Sequence, residues 1–352
     1  MEQIKVELKY NSLSCFLQLT AYSPDKTSSK DDIFYDGNVL KLYYDILRKV
    51  EKDPFKYWNV SSLRNYLWAF YMLSYFMSRN IINIPRPHLK TKHIPALFNI
   101  YEGSDFALFF TGLYSKYKNK GCKDGLFIVC NKNGDSINRK VMSYSEVLAQ
   151  YGKCLNKITI KSTFEEYYHL SNDGTPKTIN EIYELPIFNY KNYDKNEDES
   201  YKDKTLHILI DGVDNIPIDY FKFLYEIEPK NYLSREARKS LVYESSKKNK
   251  KTFEKYQNIM IKAISLAIKN AKNNNKFNQL PLNLYIKSRD NPFQYLLPID
   301  FTETGNPDFC ACISVNDKGI GKLETILNMN EVYGNVRVFG KDAVESVKDW
   351  WV

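Results

Sequence analysis

Phe293-Gln294-Tyr295-Leu296-Leu297-Pro298-Ile299 is the first of three apolar runs that decide the fold class of this chain. The second is Asp308-Phe309-Cys310-Ala311-Cys312-Ile313-Ser314-Val315. The third opens at Thr325-Ile326-Leu327-Asn328-Met329 and ends in Tyr333-Gly334-Asn335-Val336-Arg337-Val338. Short apolar runs of this length, bounded by turn residues, read as strands. In this reading Gln294, Asn335 and Arg337 stand at strand ends and face one another across neighbouring strands. Asn335 and Arg337, two apart on a strand, share one face.

Upstream, strand-like and helix-like segments come in clusters. Ile4, Val6 and Leu8 alternate, as do Cys15, Leu17 and Leu19, with Asn11-Ser12 between them. This predicts an N-terminal hairpin. Val39, Leu42, Tyr43, Ile46, Leu47 and Val50 recur at helical spacing. A second helix is predicted from about Ser61 to Met77, capped by Ser61 or Ser62. It is apolar nearly all round, so it belongs inside a domain. Strands are predicted at Phe106 to Phe110 and Gly125 to Asn131, joined by a basic loop from Lys116 to Lys123. Residues 190–204 are charged and nearly free of aliphatic side chains, which marks an insertion or linker. Thr205 to Ile210 reads as a buried strand closed by the turn pair Asp211-Gly212. The expected class is α+β, with a mainly antiparallel sheet, packed helices and a C-terminal β-meander. The expected division is an N-terminal hairpin and helix over 1–54 and a main domain over 55–352.

With 352 residues, 43% of them apolar, the chain can bury a sizeable core, which argues against global disorder. The six cysteines form no C-x-x-C pair, and the four histidines complete no zinc spacing with them. Cys310 and Cys312 read as reduced core thiols on one strand face. The start, Met1-Glu2-Gln3-Ile4-Lys5-Val6-Glu7, is unlike a secretory leader. The longest apolar run, Tyr66 to Met77, is too short for a bilayer. A reduced, cytoplasmic protein without a membrane partner is expected.

Charge is unevenly spread. Residues 230–276 hold 13 Lys or Arg against 3 Glu, a local charge of +10 where the whole chain has +8. Lys255, Lys262, Lys269 and Lys276 recur every seven residues, which keeps them on one helical stripe to within about 20° per step. Lys251 lies one turn before Lys255. Tyr256, Met260, Ala263, Ile264, Ala267 and Ala271 take the opposite face. Two readings are open: a surface that follows the phosphates of nucleic acid, and an ordinary solvated helix face.

The phosphate loop, the dinucleotide fingerprint, the zincin helix and the G-x-S-x-G elbow are absent. What remains is a set of weaker constellations. Leu206 to Pro217 places His207 and Asp211 on one strand face, with Asp214 in the following turn. A histidine with carboxylates can hold a divalent metal or serve as acid and base; turn chemistry and a structural histidine explain the same residues. Gln294, Asn335 and Arg337 can hold a phosphate or a base edge, or satisfy strand-end backbone groups. Thr111-Gly112 ends a strand where a ligand backbone contact or a turn would fit.

Taken in order, five stretches resemble one family, the domain of unknown function 3825. They are Leu63 to Leu67 with Phe70; Phe109 to Leu113; His207 to Pro217; Asn275 to Pro281 with Tyr285 and Gln294 to Pro298; and Thr325 to Val338. The closing Trp350-Trp351 resembles the family's Trp-Leu, so the likeness runs from about residue 55 to the C-terminus. Phe110 stands where the family has Asn, Ile210 where it has an acidic residue, and Asn330 where it has Asp. The resemblance implies no settled activity. Family domains occur beside RNA-binding modules in other proteins, which implies RNA or a nucleotide as partner. The function expected is therefore RNA or nucleotide binding, with a hydrolytic step carried by His207, Asp211 and Asp214 and a divalent metal compatible with them. The alternative is a non-enzymatic protein-interaction module using the many Tyr and Phe residues.

Overall fold

The computed structural model describes residues 13–18, 37–52, 57–78, 100–103, 106–117, 124–155, 250–273, 282–284, 293–315, 321–338, 344–345 and 347–351. It also describes single positions or short runs between 208 and 244. Two compact units emerge. The first comprises residues 1–174, 286–292 and 333–344; the second comprises 175–285, 293–332 and 345–352. Each is built around a four-stranded antiparallel sheet in which sequence neighbours pair, and helices pack on both, so the class is α+β.

In the first unit the strands are β1 (Ile100–Glu102), β2 (Phe106–Tyr114), β3 (Gly125–Asn133) and β4 (Ser136–Ser143). The central strand β2 is buried from Ala107 to Leu113, so both its faces are covered. On one face Leu108, Phe110, Phe127 and Val129 pack with Val147 of α4 (Tyr144–Leu155). That helix starts with a capping box: Ser143 N–H donates to Glu146 Oε2 at 2.6 Å, and Glu146 N–H returns to Ser143 Oγ at 3.4 Å. The other face carries Phe109. Its ring meets Tyr71 and Phe70 of α3 (Val60–Ser78) and Phe16 of α1 (Leu13–Gln18), with centroids 5.1–6.2 Å apart. Helix α2 (Gly37–Lys49) packs on α3 and β4, and Lys49 Nζ donates to the Val141 carbonyl at 2.8 Å.

Two expectations change here. The second arm of the hairpin predicted near the N-terminus is not a strand over Cys15 to Gln18, because Leu13–Gln18 is helical. Leu13, Phe16 and Leu17 are buried at i, i+3 and i+4, and that spacing overrides the alternation of 15, 17 and 19. The partner arm, Ile4 to Leu8, lies outside the described residues. The cap of α3 is Asn59 rather than Ser61 or Ser62: its Oδ1 accepts from Ser62 N–H at 3.0 Å, while Ser62 Oγ accepts from Asn59 N–H at 3.0 Å. Helix α3 is otherwise as expected, buried at Leu63, Tyr66, Leu67, Phe70, Tyr71 and Tyr75.

The second unit contains β5 (Leu282–Leu284), β6 (Phe293–Ile299), β7 (Phe309–Val315) and β8 (Gly321–Asn328), paired as a meander. Tyr295, Leu297, Ile299, Phe309, Ala311, Ile313, Leu323 and Ile326 lie on one face by register, and all are buried. Helix α5 (Lys250–Asn273) packs against β6.

The third run departs from expectation. The strand ends at Asn328, and Met329–Arg337 is helix α6. Asn328 Oδ1 accepts from Glu331 N–H at 3.0 Å, and Glu331 Oε2 accepts from Asn328 N–H at 3.3 Å. This reciprocal box caps the helix where the strand ends, so the meander stops at β8. The strand expected over Thr205 to Ile210 is also corrected, since Ile208 and Leu209 are helical. The insertion at 190–204 and most of the loop from Lys116 to Lys123 fall outside the described residues. Among the described residues no helix is long and apolar enough to cross a membrane.

Candidate functional site

In the first unit, three of the stretches singled out in the sequence come together. Tyr66 of α3 is fully buried, and its hydroxyl donates to the Thr111 carbonyl on β2 at 3.0 Å. Thr111 is fully buried as well. Its hydroxyl donates to the Leu126 carbonyl at 2.7 Å and accepts from Leu113 N–H at 3.2 Å. These bonds bridge an irregularity in the β2–β3 register between Phe110 and Tyr114. The strand does not end at Thr111-Gly112; it bulges and continues to Tyr114. Gly112 has φ +71°, and a Cβ there would stand 2.6 Å from Tyr66 Oη and 2.7 Å from Phe70 Cζ. Glycine is required because the bulge presses against α3. Thr111 thus spends its hydroxyl on the bulge.

Helix α6 brings the third stretch. Gly334 lies against the start of α3, where a Cβ would stand 2.9 Å from Tyr66 N and closer still to the Ser62 carbonyl oxygen. Tyr333 is buried and stacks on Tyr57 at 5.4 Å, and Trp58 stands edge-on to both Tyr333 and Tyr66 at 5.4 Å. Arg337 is one turn beyond Gly334 and is half-buried. Burial pushes the Tyr66 phenol well above its ordinary range, while the Arg337 charge pulls it back. The Nδ2 of Asn65, next to Tyr66, is shut from solvent and has no hydrogen-bond partner among the described residues.

Asn335 and Arg337 do not share a face. On a helix, residues two apart point about 200° from each other. The expected strand-to-strand arrangement of Gln294 with Asn335 and Arg337 is not formed, because Gln294 is on strand β6 while Asn335 and Arg337 are on helix α6. Asn335 is half-buried and its carbonyl accepts from Val338 N–H at 3.3 Å.

Gln294 instead pairs with Asn283, directly opposite on β5. Asn283 Nδ2 donates to Gln294 Oε1 at 3.1 Å and lies 3.7 Å from Cys312 Sγ. Both amides are buried, and Gln294 Nε2 has no partner among the described residues. Burial, with Glu331 and Glu324 adding to it, raises the Cys312 thiol far above its usual range; the Asn283 contact opposes this. Ser314 Oγ on β7 donates to Glu324 Oε1 on β8 at 2.7 Å. Cys130, Cys310 and Cys312 are free and buried, as expected of core thiols.

The lysine stripe lies on α5 of the second unit. Lys251, Lys255, Lys262 and Lys269 are exposed, while Met260, Ile264 and Ile268 are buried. Among the described residues none of these four lysines makes an ion pair. Lys276 falls outside the described residues, as do His207, Asp211 and Asp214. Within that last motif, Asn215 is described: its Nδ2 donates to the Ile326 carbonyl on the edge strand β8 at 2.7 Å. Among the described residues no group of three or more His, Cys, Asp or Glu is placed to hold a metal ion.

Sequence reasoning named Arg337 but missed its neighbours. The signals were present in Asn65-Tyr66, and in Asn328-Met329-Asn330-Glu331, whose capping-box spacing announces a helix.

Comparison with curated proteins and with solved structures gives no match. A family model described as a domain of unknown function (DUF3825) matches residues 92–345. The span includes Phe109 to Leu113, His207 to Pro217 and Thr325 to Val338, and leaves out Leu63 to Phe70 and Trp350-Trp351. Covering well over half of the chain, this match places the protein in the DUF3825 family.

Proposed function

We propose that this protein binds RNA through the solvent face of α5. One observation carries the reading. The apolar side of α5 is already used against its sheet, at Met260, Ile264 and Ile268, while Lys251, Lys255, Lys262 and Lys269 stand exposed without ion pairs among the described residues. A helix that serves only as a solvated surface usually intersperses both signs of charge; in α5 the single acidic residue is Glu254. Lysines at seven-residue intervals recur about every 10.5 Å along the axis, a row suited to neutralising successive parts of a polyanion. Such contacts act through counterion release, so binding weakens steeply with salt. His207, Asp211 and Asp214 are the groups proposed for a hydrolytic step on the bound strand.

The test is a titration of the full chain with mixed-sequence RNA at rising salt, with and without Mg²⁺ or Mn²⁺. Retention of RNA at low salt, lost in a Lys255→Ala/Lys262→Ala/Lys269→Ala variant that still folds, is the expected result. Equal retention by parent and variant overturns the role of α5. Cleavage that depends on His207 supports the hydrolytic step; intact RNA under all metal conditions removes it. No retention at any salt turns the reading towards a protein-interaction module.

A further inference from the structure

We infer that the RNA held on α5 is single-stranded, with its phosphates along the lysine row and its bases turned onto an apolar flank of the same helix. This deepens the reading of α5 as an RNA surface and rests on it. Viewed down the axis, Lys251, Lys255, Lys262 and Lys269 fall within about 40° of one another. To one side of Lys255, between about 20° and 80°, stand Leu266, Ile259 and Ala263. To the other, between about 60° and 100°, stand Asn258, Ser265 and Glu254. The row therefore has one apolar flank and one polar flank. Leu266 is 44% exposed, and Ile259 and Ala263 are half-buried. None of the three is needed for the side buried in the domain, which Met260, Ile264 and Ile268 supply from across the helix.

One exposed leucine on a protein surface is ordinary. Leu266 differs in its neighbours. Lys262 precedes it by four residues and Lys269 follows by three, so both adjoin it on the helix surface. A polyanion that spans these two lysines passes beside the leucine, and the favourable thing to lay on it is apolar. An A-form duplex offers no such surface next to its phosphates. Its major groove is deep and narrow, and its minor groove displays 2′-hydroxyls. A single strand does offer one, because its unstacked bases are free to turn to one side of the backbone. The opposite flank, polar and carrying Glu254, gives those bases nothing to rest on.

The experiment measures binding of the full chain to an RNA dodecamer, to the same strand paired with its complement, and to an abasic strand of equal length. Each is titrated at rising salt. The single strand is expected to bind more tightly than the other two. Leu266→Gln should weaken the single strand by about fivefold, the scale of losing one partly buried apolar side chain. It should leave the salt slope, the duplex and the abasic strand unchanged. Leu266→Phe should tighten the single strand several-fold, since bases stack on aromatic rings. Lys262→Ala/Lys269→Ala should instead lower the salt slope for all three probes. Leu266 is exposed, so its variants are expected to fold; if Leu266→Gln does not, Leu266→Ala takes its place. Duplex or abasic strand binding as tightly as the single strand overturns the inference, as does unchanged affinity in both folded Leu266 variants. In either case a salt slope that still depends on the lysines leaves α5 as an RNA surface. Failure of all three probes, with retention of a synthetic acidic amphipathic helix, overturns both readings and assigns the face to a protein partner.

Discussion

Gly334 on α6 sits so close to the Ser62 carbonyl on α3 that no side chain fits between them. The contact is backbone against backbone, so neither partner can swing aside. Gly334→Ala is expected to destabilise the protein by about 1–3 kcal/mol, the range for overpacking a tight contact. Helix propensity alone predicts the opposite sign, since alanine is the better helix former. Urea unfolding of parent and variant decides between them, and a stabilised variant would refute the packing account. Gly112→Ala should also destabilise, because φ +71° and the crowding of Tyr66 and Phe70 act together.

The strand-to-helix switch at Asn328 makes a second prediction. Removing the side chain in Asn328→Ala breaks one arm of the box with Glu331 and should cost about 1 kcal/mol. Asn328→Asp keeps an acceptor at the cap and should recover most of it. Thermal melts of the two variants check this; equal losses in both would show that the cap is not what holds the start of α6.

Salt dependence gives the sharpest reading of the lysine face. Each phosphate contact to single-stranded RNA adds about −0.7 to the slope of log affinity against log salt. Lys262→Ala and Lys269→Ala should each reduce the slope by about that amount and weaken all RNA sequences alike. Loss of affinity with an unchanged slope would argue for indirect unfolding rather than lost phosphate contacts.

The buried thiols predict an alkaline limit to stability. Burial pushes Cys130 from 9.0 up to about 12. The unfolded chain releases this proton near pH 9 while the folded chain holds it, so stability is full below pH 9 and falls from there towards pH 12. Cys130→Ala should flatten that fall by one proton's worth of slope, measured by denaturant unfolding at pH 8, 9 and 10. An unchanged slope would contradict burial as the cause.

Helix α2, the strands β2, β3, β6 and β7 and the amphipathic nature of α5 were legible because each follows from local spacing of apolar side chains. So was the pairing of Cys310 and Cys312 on one strand face. The misses share a cause. Leu13–Gln18 and Met329–Arg337 are short apolar segments in which strand and helix periods both find matches. In the first, burial of Leu13, Phe16 and Leu17 decided the outcome. In the second, a capping box decided it, and once the helix forms, Asn335 and Arg337 part company.

The amino-acid sequence by itself determined the α+β class, the family and the segregation of lysines to one side of α5, because these depend on order and period along the chain. Only the tertiary structure decided which polar residues meet. It set Gln294 against Asn283, Thr111 into a bulge under Tyr66, and Gly334 against the start of α3, with the Arg337 charge acting on Tyr66. Those meetings depend on how closely two backbones approach, and a glycine such as Gly334 permits that approach without naming its partner.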